Sequence, residues 1–356
     1  MATPFEDFDE DLSLTSQEEC ENSARSILAK LRPEWTPSEI TFEYFSVGIT
    51  NKIFSAGFGT EHVIFRVFGH NTSKVIDREN EVTAWRQLAE HGFAASLYGK
   101  FNNGLICGFL EGKSLKIEEM RDSRFHVNIA KRIAQLHTSV PNDGKARVFD
   151  KMRTFLKQLD PKFEKSCQQE FFDKKFPKDL EAEIKKIESL IVKLKEPIAF
   201  CHNDLLVHNI VYNSEKKSIE FIDYEYAFPN YALFDIANHF CEYAGKLTED
   251  HAEFFFSILG VEGTPDYSKC LTKDEKWLFI NDYLRFGREK EHCDTRIASM
   301  FKNLPLFEAA AHLFWAVWAL VQAQNSTIDF DYLTYAYARY QQYEKRYQKY
   351  ISGTQH

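Results

Sequence analysis

The chain has 356 residues, of which 44% are hydrophobic and 27% charged, a composition that is typical of folded domains and excludes a wholly disordered or fibrous protein. Its 53 acidic residues outnumber its 44 basic ones, and the net charge of −9 disfavours binding to nucleic acid or to an anionic membrane surface. The seven cysteines contain no C-x-x-C pair, which argues against a disulfide framework or a zinc cluster. Because the N terminus is acidic rather than basic and then apolar, we expect a cytoplasmic protein.

The N-terminal third of the chain has the pattern of a β-rich lobe. Residues 1–22 hold eight acids and no lysine or arginine, which predicts a flexible tail before a helix at about 22–31. Apolar segments with short connections then predict five strands and one helix, in the order 41–47, 52–58, 62–68, helix 73–91, 96–101 and 105–110. The remainder is mainly helical, so we expect two lobes, 23–111 and 112–356.

One polar cluster in the second lobe indicates the chemistry. A hairpin is predicted at 209–222, and both of its flanks are rich in polar side chains. The segment before it contains H-x-D-x-x-x-x-N, formed by His202, Asp204 and Asn209, and the second strand ends at Asp223. Phosphoryl transfer from ATP needs one Asp to orient the accepting hydroxyl, and an amide oxygen with a second carboxylate to hold Mg²⁺. This spacing can bring the three groups together, which favours a kinase.

The first lobe offers partners for the phosphates of ATP. The loop Val47–Lys52 lies between two predicted strands, where backbone N–H groups could wrap a phosphate, although its single Gly is a weak signal that also fits an ordinary turn. Arg66 lies on an apolar strand and needs a partner, which Glu79 or Glu81 on the following helix can supply. Such a pair would place a fixed cation near the phosphates, and a surface salt bridge is the alternative.

Three stretches together resemble the choline/ethanolamine kinases, which are relatives of the protein kinases: FCHNDLLVHNIVY, FIDYEYAFPNYALFDIANHFCEYAG and HLFWAVWALVQAQNSTIDFDYLTYA. The resemblance extends over nearly all of the chain after the acidic tail and is closer to the ethanolamine kinase branch. It implies a two-lobed, protein-kinase-like α+β fold, with a small β-rich nucleotide-binding lobe and a large, mainly helical catalytic and substrate-binding lobe. It also implies ATP and Mg²⁺ as cofactors.

The same resemblance implies roles for individual residues. Asp204 would be the catalytic base or hydroxyl orienter, with Asn209 and Asp223 as Mg²⁺ ligands. Nucleotide binding is implied for a phosphate loop, an arginine with its glutamate and a hinge beside adenine: Gly48, Ile49, Thr50 and Asn51; Arg66 and Glu81; and Gly108, Phe109, Leu110 and Glu111. The catalytic loop would be braced by three residues: His202, Asp235 and His239. One departure is Val47, which replaces the first of two adjacent glycines usual in the family's phosphate loop.

An amino-alcohol site must hold a small cation with its hydroxyl toward Asp204. The quaternary ammonium of choline cannot donate hydrogen bonds and suits an aromatic cage, whereas the ammonium of ethanolamine can donate three. By family position the candidate substrate residues are Tyr226, Glu242, Trp315, Trp318, Phe330 and Tyr335. An aromatic residue that choline kinases place soon after Glu242 has no obvious counterpart in Ala244–Leu247, which favours the smaller amine, although Tyr243 could substitute for it.

These expectations describe an ATP- and Mg²⁺-dependent kinase that converts ethanolamine to phosphoethanolamine, the first step of the CDP-ethanolamine route to phosphatidylethanolamine. A choline kinase, or an enzyme that uses both amines, is the closest alternative. A catalytically silent nucleotide-binding scaffold is the alternative of another class, which Val47 favours and the retained Asp204, Asn209 and Asp223 oppose. The expected partner is a small amino alcohol, without nucleic acid or stable membrane association, and a homodimer is left open.

Overall fold

The computed structural model describes residues 5–45, 51–69, 78–244, 265–287, 294–326 and 330–353. Their contacts divide them into two units. The first unit comprises 5–45, 51–69, 78–113 and 211–225, and the second comprises 114–210, 226–244, 265–287, 294–326 and 330–353. The predicted lobe of 112–356 differs from the second unit chiefly at 211–225, because contacts group this segment with the first unit.

A six-stranded sheet forms the centre of the first unit, in the order β1-β5-β6-β4-β3-β2. Its strands are β1 (Glu6–Phe8), β2 (Thr41–Phe45), β3 (Asn51–Phe58), β4 (Glu61–Phe68), β5 (Leu97–Phe101) and β6 (Gly104–Gly108). Neighbouring strands pair antiparallel except β1, which runs parallel to β5. On β4, Val63, Phe65 and Val67 are at most 1% exposed, because alternate side chains of a strand share one face and this face covers the core. The sheet confirms the five predicted strands.

The acidic N terminus joins this sheet instead of forming a flexible tail. Phe8 at the end of β1 is 5% exposed and Leu12 is 1% exposed, and both belong to the core of the first unit. Helix α1 (Gln17–Leu31) follows and begins earlier than expected. The prediction of a flexible tail over 1–22 is therefore wrong for residues 5–22. Apolar side chains between the acids supply buried surface, and the backbone of β1 pairs with β5, so that β1 becomes the edge strand of the sheet.

Helix α2 (Arg78–Glu90) and a hairpin complete the first unit. The buried side chains of the helix share one face: Glu81, Ala84, Trp85 and Leu88. The hairpin consists of β9 (Ile210–Asn213) and β10 (Ser218–Phe221), which are neighbours in a small sheet. The hairpin was predicted from its alternating residues, and α2 confirms the part of the predicted helix that lies within the described residues.

The second unit is mainly helical. Its helices are α3 (Ile117–Met120), α4 (Ser123–Ser139), α5 (Val148–Gln158), α6 (Ser166–Lys175), α7 (Leu180–Leu194), α8 (Ala232–Cys241), α9 (Lys273–Phe286), α10 (Asp294–Asn325) and α11 (Tyr332–Gly353). Strand β7 (Lys113–Ser114) precedes them, and β8 (Ile198–Cys201) pairs antiparallel with β11 (Phe228–Tyr231). Of the described helices, α10 alone is long and apolar enough to cross a membrane, but 94% of its most apolar stretch is buried, as expected of a core helix.

Candidate active site

The H-x-D-x-x-x-x-N segment begins directly after β8, whose last residue, Cys201, pairs with Phe228 of β11. The segment is a tight loop that ends in the short 3₁₀ helix Val207–Asn209. Within it, the side-chain amide of Asn209 donates a hydrogen bond of 2.8 Å to the backbone carbonyl of Asp204. That bond uses the amide nitrogen of Asn209, and the amide oxygen is the atom able to bind a cation.

A buried carboxylate, Asp235 on α8, holds the first two residues of this loop. The backbone N–H groups of His202 and Asn203 donate to its two oxygens at 2.9 and 2.8 Å. Asn203 has a φ of 64°, in the left-handed region that is unfavourable for most residues other than glycine, so its conformation needs a fixed partner. The backbone that presents Asp204 is therefore maintained by one side chain of α8.

Sequence reasoning assigns no role to His137 of α4, yet this residue connects Asp235 to the helical core. Its Nε2 lies 3.0 Å from Asp235 Oδ2, and its Nδ1 lies 3.0 Å from the hydroxyl of Tyr283. Burial by itself would raise the pKa of Asp235, but the bonds from His137 and from the His202 N–H hold this pKa below its usual range. Asp235 is therefore an ionised acceptor at neutral pH. A histidine on an apolar helix gives no sequence signal of this role.

Replacing Asp235 with Asn should loosen the catalytic loop. The amide keeps one acceptor oxygen but turns an N–H₂ group toward a backbone N–H, so we expect a loss of about 2–3 kcal/mol of stability. We also expect kcat to fall while the KM for ATP changes little. Thermal unfolding and steady-state kinetics measure both effects, with Asp282→Asn, a buried acid on α9, as the matched control. Wild-type stability and kcat in Asp235→Asn would show that the loop does not depend on this carboxylate.

Amide and imidazole side chains outside the central motif complete the support of the loop. The side-chain nitrogen of Asn203 donates to the carbonyl of Tyr226 at 3.0 Å, and that of Asn238 donates to the carbonyl of Asn203 at 3.0 Å. His239 Nδ1 lies 2.9 Å from the carbonyl of Leu205. His239 thus lies against the loop, where the resemblance places it. Asn203 and Asn238 were missed, because an amide between recognisable motif residues reads as an ordinary turn or helix residue.

In the first unit, Arg66 on β4 is surrounded by carboxylates. Its guanidinium lies 3.1 Å from Glu81 Oε1 and 3.0 Å from oxygens of both Asp223 and Glu225. Arg66 is 6% exposed and Glu81 is fully buried, so solvent screens these charges only weakly. The helix partner of the arginine is Glu81, one of the two glutamates that the sequence left open, and Asp223 joins the same cluster.

Glu225 and Arg78 also belong to this cluster, and sequence reasoning missed both. Arg78 Nη1 lies 2.6 Å from Glu81 Oε2 and 4.0 Å from Glu225 Oε2. Burial, and after it the charge of Asp223, raise the pKa of Glu225 to about 8, against the lowering effect of Arg66. Three carboxylates therefore share two guanidinium groups, and burial favours the protonated form of Glu225. In the sequence D-Y-E, Asp223 and Glu225 are two residues apart, and in an extended segment such residues lie on the same side. This spacing is the signal that could have identified Glu225.

The same carboxylates have the chemistry of a magnesium site. Glu81, Asp223 and Glu225 can each present an oxygen within 4.8 Å of the others, and carboxylate oxygens are ligands that Mg²⁺ prefers. The side chain of Asp223 is 36% exposed, more than the other two, and is the one that a metal ion could reach most readily. The φ of Asp223 is 65°, again in the left-handed region, and such backbone strain is common at functional residues. The donor set fits a divalent cation.

The predicted hinge follows β6, and the predicted phosphate loop precedes β3. Gly48, Ile49 and Thr50 lie outside the described residues, and Asn51 is the first residue of β3. The N–H of Gly108 donates to a backbone carbonyl at 2.8 Å, Phe109 is 41% exposed, and Glu111 pairs with a lysine at 3.2 Å. The four hinge residues, Gly108 to Glu111, line a cleft of about 910 Å³ within the first unit, a volume typical of small-molecule sites.

Aromatic side chains form a compact cluster in the second unit. The ring of Trp315 on α10 lies 5.3 Å from that of Tyr226 and 5.4 Å from that of Trp318, edge to face in both cases. Trp318 Nε1 donates to the Tyr226 hydroxyl at 2.7 Å, and Trp315 Nε1 donates to Asn238 at 2.8 Å. These bonds fix both indoles. Asn203 of the loop contacts this cluster in two ways, because it donates directly to the carbonyl of Tyr226 and accepts from Asn238, the partner of Trp315.

Phe330 and Tyr335 extend this cluster, and Glu242 adds a carboxylate. The ring centres of Phe330 and Tyr335 are 5.9 Å apart, and Glu242 lies in the 3₁₀ helix that follows α8. Burial raises the pKa of the Tyr335 phenol; the charge of Arg339 opposes this, and the charges of Glu242 and then Asp204 add to it.

A β-rich unit with a buried Arg–Glu pair, and a helical unit with a braced Asp–Asn loop, define a phosphotransferase of the protein-kinase-like class. Comparison with known proteins identifies the family. The family model for choline/ethanolamine kinase matches residues 42–344. Ethanolamine kinase 1 of Mus musculus is 34% identical over 349 residues, which cover 94% of this chain and 92% of that protein. The chain belongs to the choline/ethanolamine kinase family.

Solved structures agree with this assignment. An ethanolamine kinase of Plasmodium vivax superposes with a TM-score of 0.77 at 25% identity, covering 92% of this chain and 89% of the other. The choline kinase LicA of Streptococcus pneumoniae, in its complex with AMP, shares the fold with a TM-score of 0.59 at 18% identity, covering 92% and 98% of the two chains. The predicted fold class is thereby confirmed.

Proposed function

We propose that this protein transfers the terminal phosphoryl group of ATP to the hydroxyl of ethanolamine, forming phosphoethanolamine and ADP. The observation that carries the proposal is the match of the choline/ethanolamine kinase family model to residues 42–344, which include both Asp204 and Glu242. In this proposal the ammonium group of ethanolamine binds at Glu242, and its hydroxyl, two carbons away, is oriented by Asp204. The similarity to ethanolamine kinases supports the same substrate.

The residues have distinct tasks in this proposal. Asp204 orients the substrate hydroxyl and accepts its proton, and the amide oxygen of Asn209 and the carboxylate of Asp223 are the groups that would hold Mg²⁺. When bound, Mg²⁺ neutralises the charge that develops on the phosphate oxygens. Arg66, kept in place by Glu81, adds a fixed positive charge for the nucleotide phosphates. The loop that carries Asp204 needs no rearrangement, because Asp235 already fixes it.

The residues of the proposed amine site favour a primary ammonium group. Tyr243, the residue that could complete an aromatic cage, is fully buried, and its hydroxyl donates to the carbonyl of Met120 at 3.2 Å. An ammonium group can donate hydrogen bonds to the carboxylate of Glu242, whereas a quaternary ammonium group cannot. The rings of Trp315, Trp318 and Tyr226 keep choline as the second candidate substrate, since they can hold a methylated cation by cation–π contact.

Kinetics with a methylation series tests the substrate assignment. We expect kcat/KM to be about tenfold or more higher for ethanolamine than for choline, equivalent to about 1.4 kcal/mol, and to decline stepwise through the mono- and dimethylated amines. The decline follows because each methyl group removes one N–H donor. A preference for choline would make the protein a choline kinase. Turnover of none of the four amines, with ATP still bound, would leave the scaffold alternative.

We further propose that the reaction supplies head groups for phosphatidylethanolamine and takes place in the cytoplasm. The family assignment supports a role in phospholipid synthesis. The net charge of −9 and the free thiols of the six described cysteines support a reducing, aqueous compartment. Fractionation of cells with an antibody to the protein checks the location.

A further inference from the structure

Arg339 on α11 is a buried cation beside the proposed amine site. It is 1% exposed, and its Nη1 lies 3.3 Å from Glu242 Oε1. Within the described part of the chain, its Nε and Nη2 have no hydrogen-bond partner. Burying a guanidinium group with two unpaired donors is unfavourable, and a second cation beside a cation site should weaken ligand binding by simple repulsion. The cost of burial and the expected repulsion both indicate that Arg339 does more than pack the core.

Glu242 is the group on which Arg339 acts. The carboxylate is 5% exposed, and burial raises its pKa overall, although the charge and the hydrogen bond of Arg339 oppose this rise. A carboxylate at this depth without a cation tends to bind a proton and would then be a poor partner for an ammonium group. Arg339 engages only Oε1, and no described residue donates a hydrogen bond to Oε2. The second oxygen is the atom that can receive the amine.

The other titratable groups around this pair cannot replace the charge of Arg339. The nearby cations Lys276 and Arg346 both pair with Glu308. The other groups are Tyr335 on α11, Tyr267 in the 3₁₀ helix Tyr267–Lys269, Cys241 at the end of α8, His312 on α10 and Asp204 in the proposed catalytic loop. Burial keeps the phenols, the thiol and the imidazole neutral, and Asp204 adds negative charge. Among the residues that the structure describes, Arg339 alone forms an ion pair with Glu242.

We propose that Arg339 is a positioning residue, which keeps Glu242 ionised and directs its second oxygen toward the ammonium group of the substrate. The inference rests on the proposed function, since it concerns the site in which the amine binds. It assigns to Arg339 a part in amine selection without contact with the substrate. When a primary ammonium group is bound, the carboxylate of Glu242 lies between two cations. One oxygen accepts from Arg339 and the other accepts from the ammonium group.

Arg339→Met tests the proposal, because methionine keeps much of the apolar volume and removes the charge. The pKa of Glu242 should then rise, so less of the carboxylate is ionised near pH 7. We expect the KM for ethanolamine to increase about tenfold or more at that pH, with kcat and the KM for ATP within about twofold of wild type. Raising the pH toward about 8.5 should restore kcat/KM in the variant, because Glu242 ionises again, while the wild-type profile stays flat over the same range.

Two variants control for stability and chemistry. Arg296→Met removes the arginine partner of Glu196, another glutamate that is 5% exposed, and should leave the KM for ethanolamine unchanged. Arg339→Lys should recover most of the affinity and the flat pH profile, since it restores the charge. If Arg339→Met does not fold, Arg339→Gln makes the same test with a neutral polar side chain.

Three outcomes would overturn the proposal. The KM of Arg339→Met could stay at the wild-type value, it could fall as simple charge repulsion predicts, or it could rise equally at every pH. Each of these requires a wild-type enzyme that phosphorylates ethanolamine. If the wild type uses no amine, the proposed function itself fails, so the two failures are distinguishable in one set of assays.

Discussion

Asp204→Asn is expected to lower kcat for ethanolamine phosphorylation by about 10³-fold, because an amide of the same size cannot accept the hydroxyl proton. The loop should survive the change. The backbone of Asp204 makes contacts that the substitution keeps: its carbonyl accepts from Asn209, and its N–H lies 3.3 Å from His202 Nδ1. Steady-state ADP formation measures the loss, and calorimetry with ATP should give an affinity within about threefold of wild type.

An exposed acid provides the control for this experiment. Asp150 on α5 has a side chain that is 80% exposed, so Asp150→Asn changes the same charge without touching the loop, and we expect wild-type kinetics. Turnover within tenfold of wild type in Asp204→Asn would contradict the mechanism proposed for this residue. If Asp204→Asn loses both turnover and ATP affinity, the substitution has disrupted the fold instead.

Arg66→Met should be the most destabilising substitution in the first unit. It leaves Glu81, Asp223 and Glu225 clustered around an apolar side chain, with Arg78 as the remaining partner of Glu81. Breaking a buried ion pair by removing one partner typically costs about 3–5 kcal/mol, since the remaining charge stays buried. The midpoint of urea unfolding at neutral pH, with an unchanged slope, measures this loss.

The matched control removes an exposed arginine from its ion pair. Arg124 contacts Asp122 at 2.7 Å, but its side chain is 78% exposed, so water replaces the lost contact and Arg124→Met should scarcely move the midpoint. Equal midpoints for Arg66→Met and wild type would show that the carboxylates around Arg66 do not need its charge. An altered slope would mean that unfolding is no longer comparable between the two proteins.

Features that depend on neighbouring residues were predictable from the sequence. The strands from β2 to β6 and the hairpin of β9 and β10 follow from alternation and turn residues, which act over a few positions. The combination of Asp204, Asn209 and Asp223 was recognisable because phosphoryl transfer requires those groups at a restricted spacing. The partner of Arg66 could be narrowed to two glutamates, since one helix follows the strand.

Features that depend on distant residues were not predictable in this way. The acidic composition of the first 22 residues led to the prediction of a flexible tail despite the apolar residues Phe8 and Leu12. Their burial depends on β5, a strand about 90 residues later in the chain. His137 contacts Asp235 from 98 residues away, and Arg339 contacts Glu242 from 97 residues away. Each is a single polar residue on a helix, and only the packing of that helix decides what it touches.

Amine-dependent ADP formation in the presence of Mg²⁺ tests the central claim most directly. Purified wild-type protein and Asp204→Asn are compared with ATP in the presence and absence of ethanolamine, and the phosphorylated product is identified by ³¹P NMR. The account predicts one phosphoethanolamine for each ADP with the wild type and almost none with the variant. ATP consumption that is independent of ethanolamine, or that persists in Asp204→Asn, would contradict it.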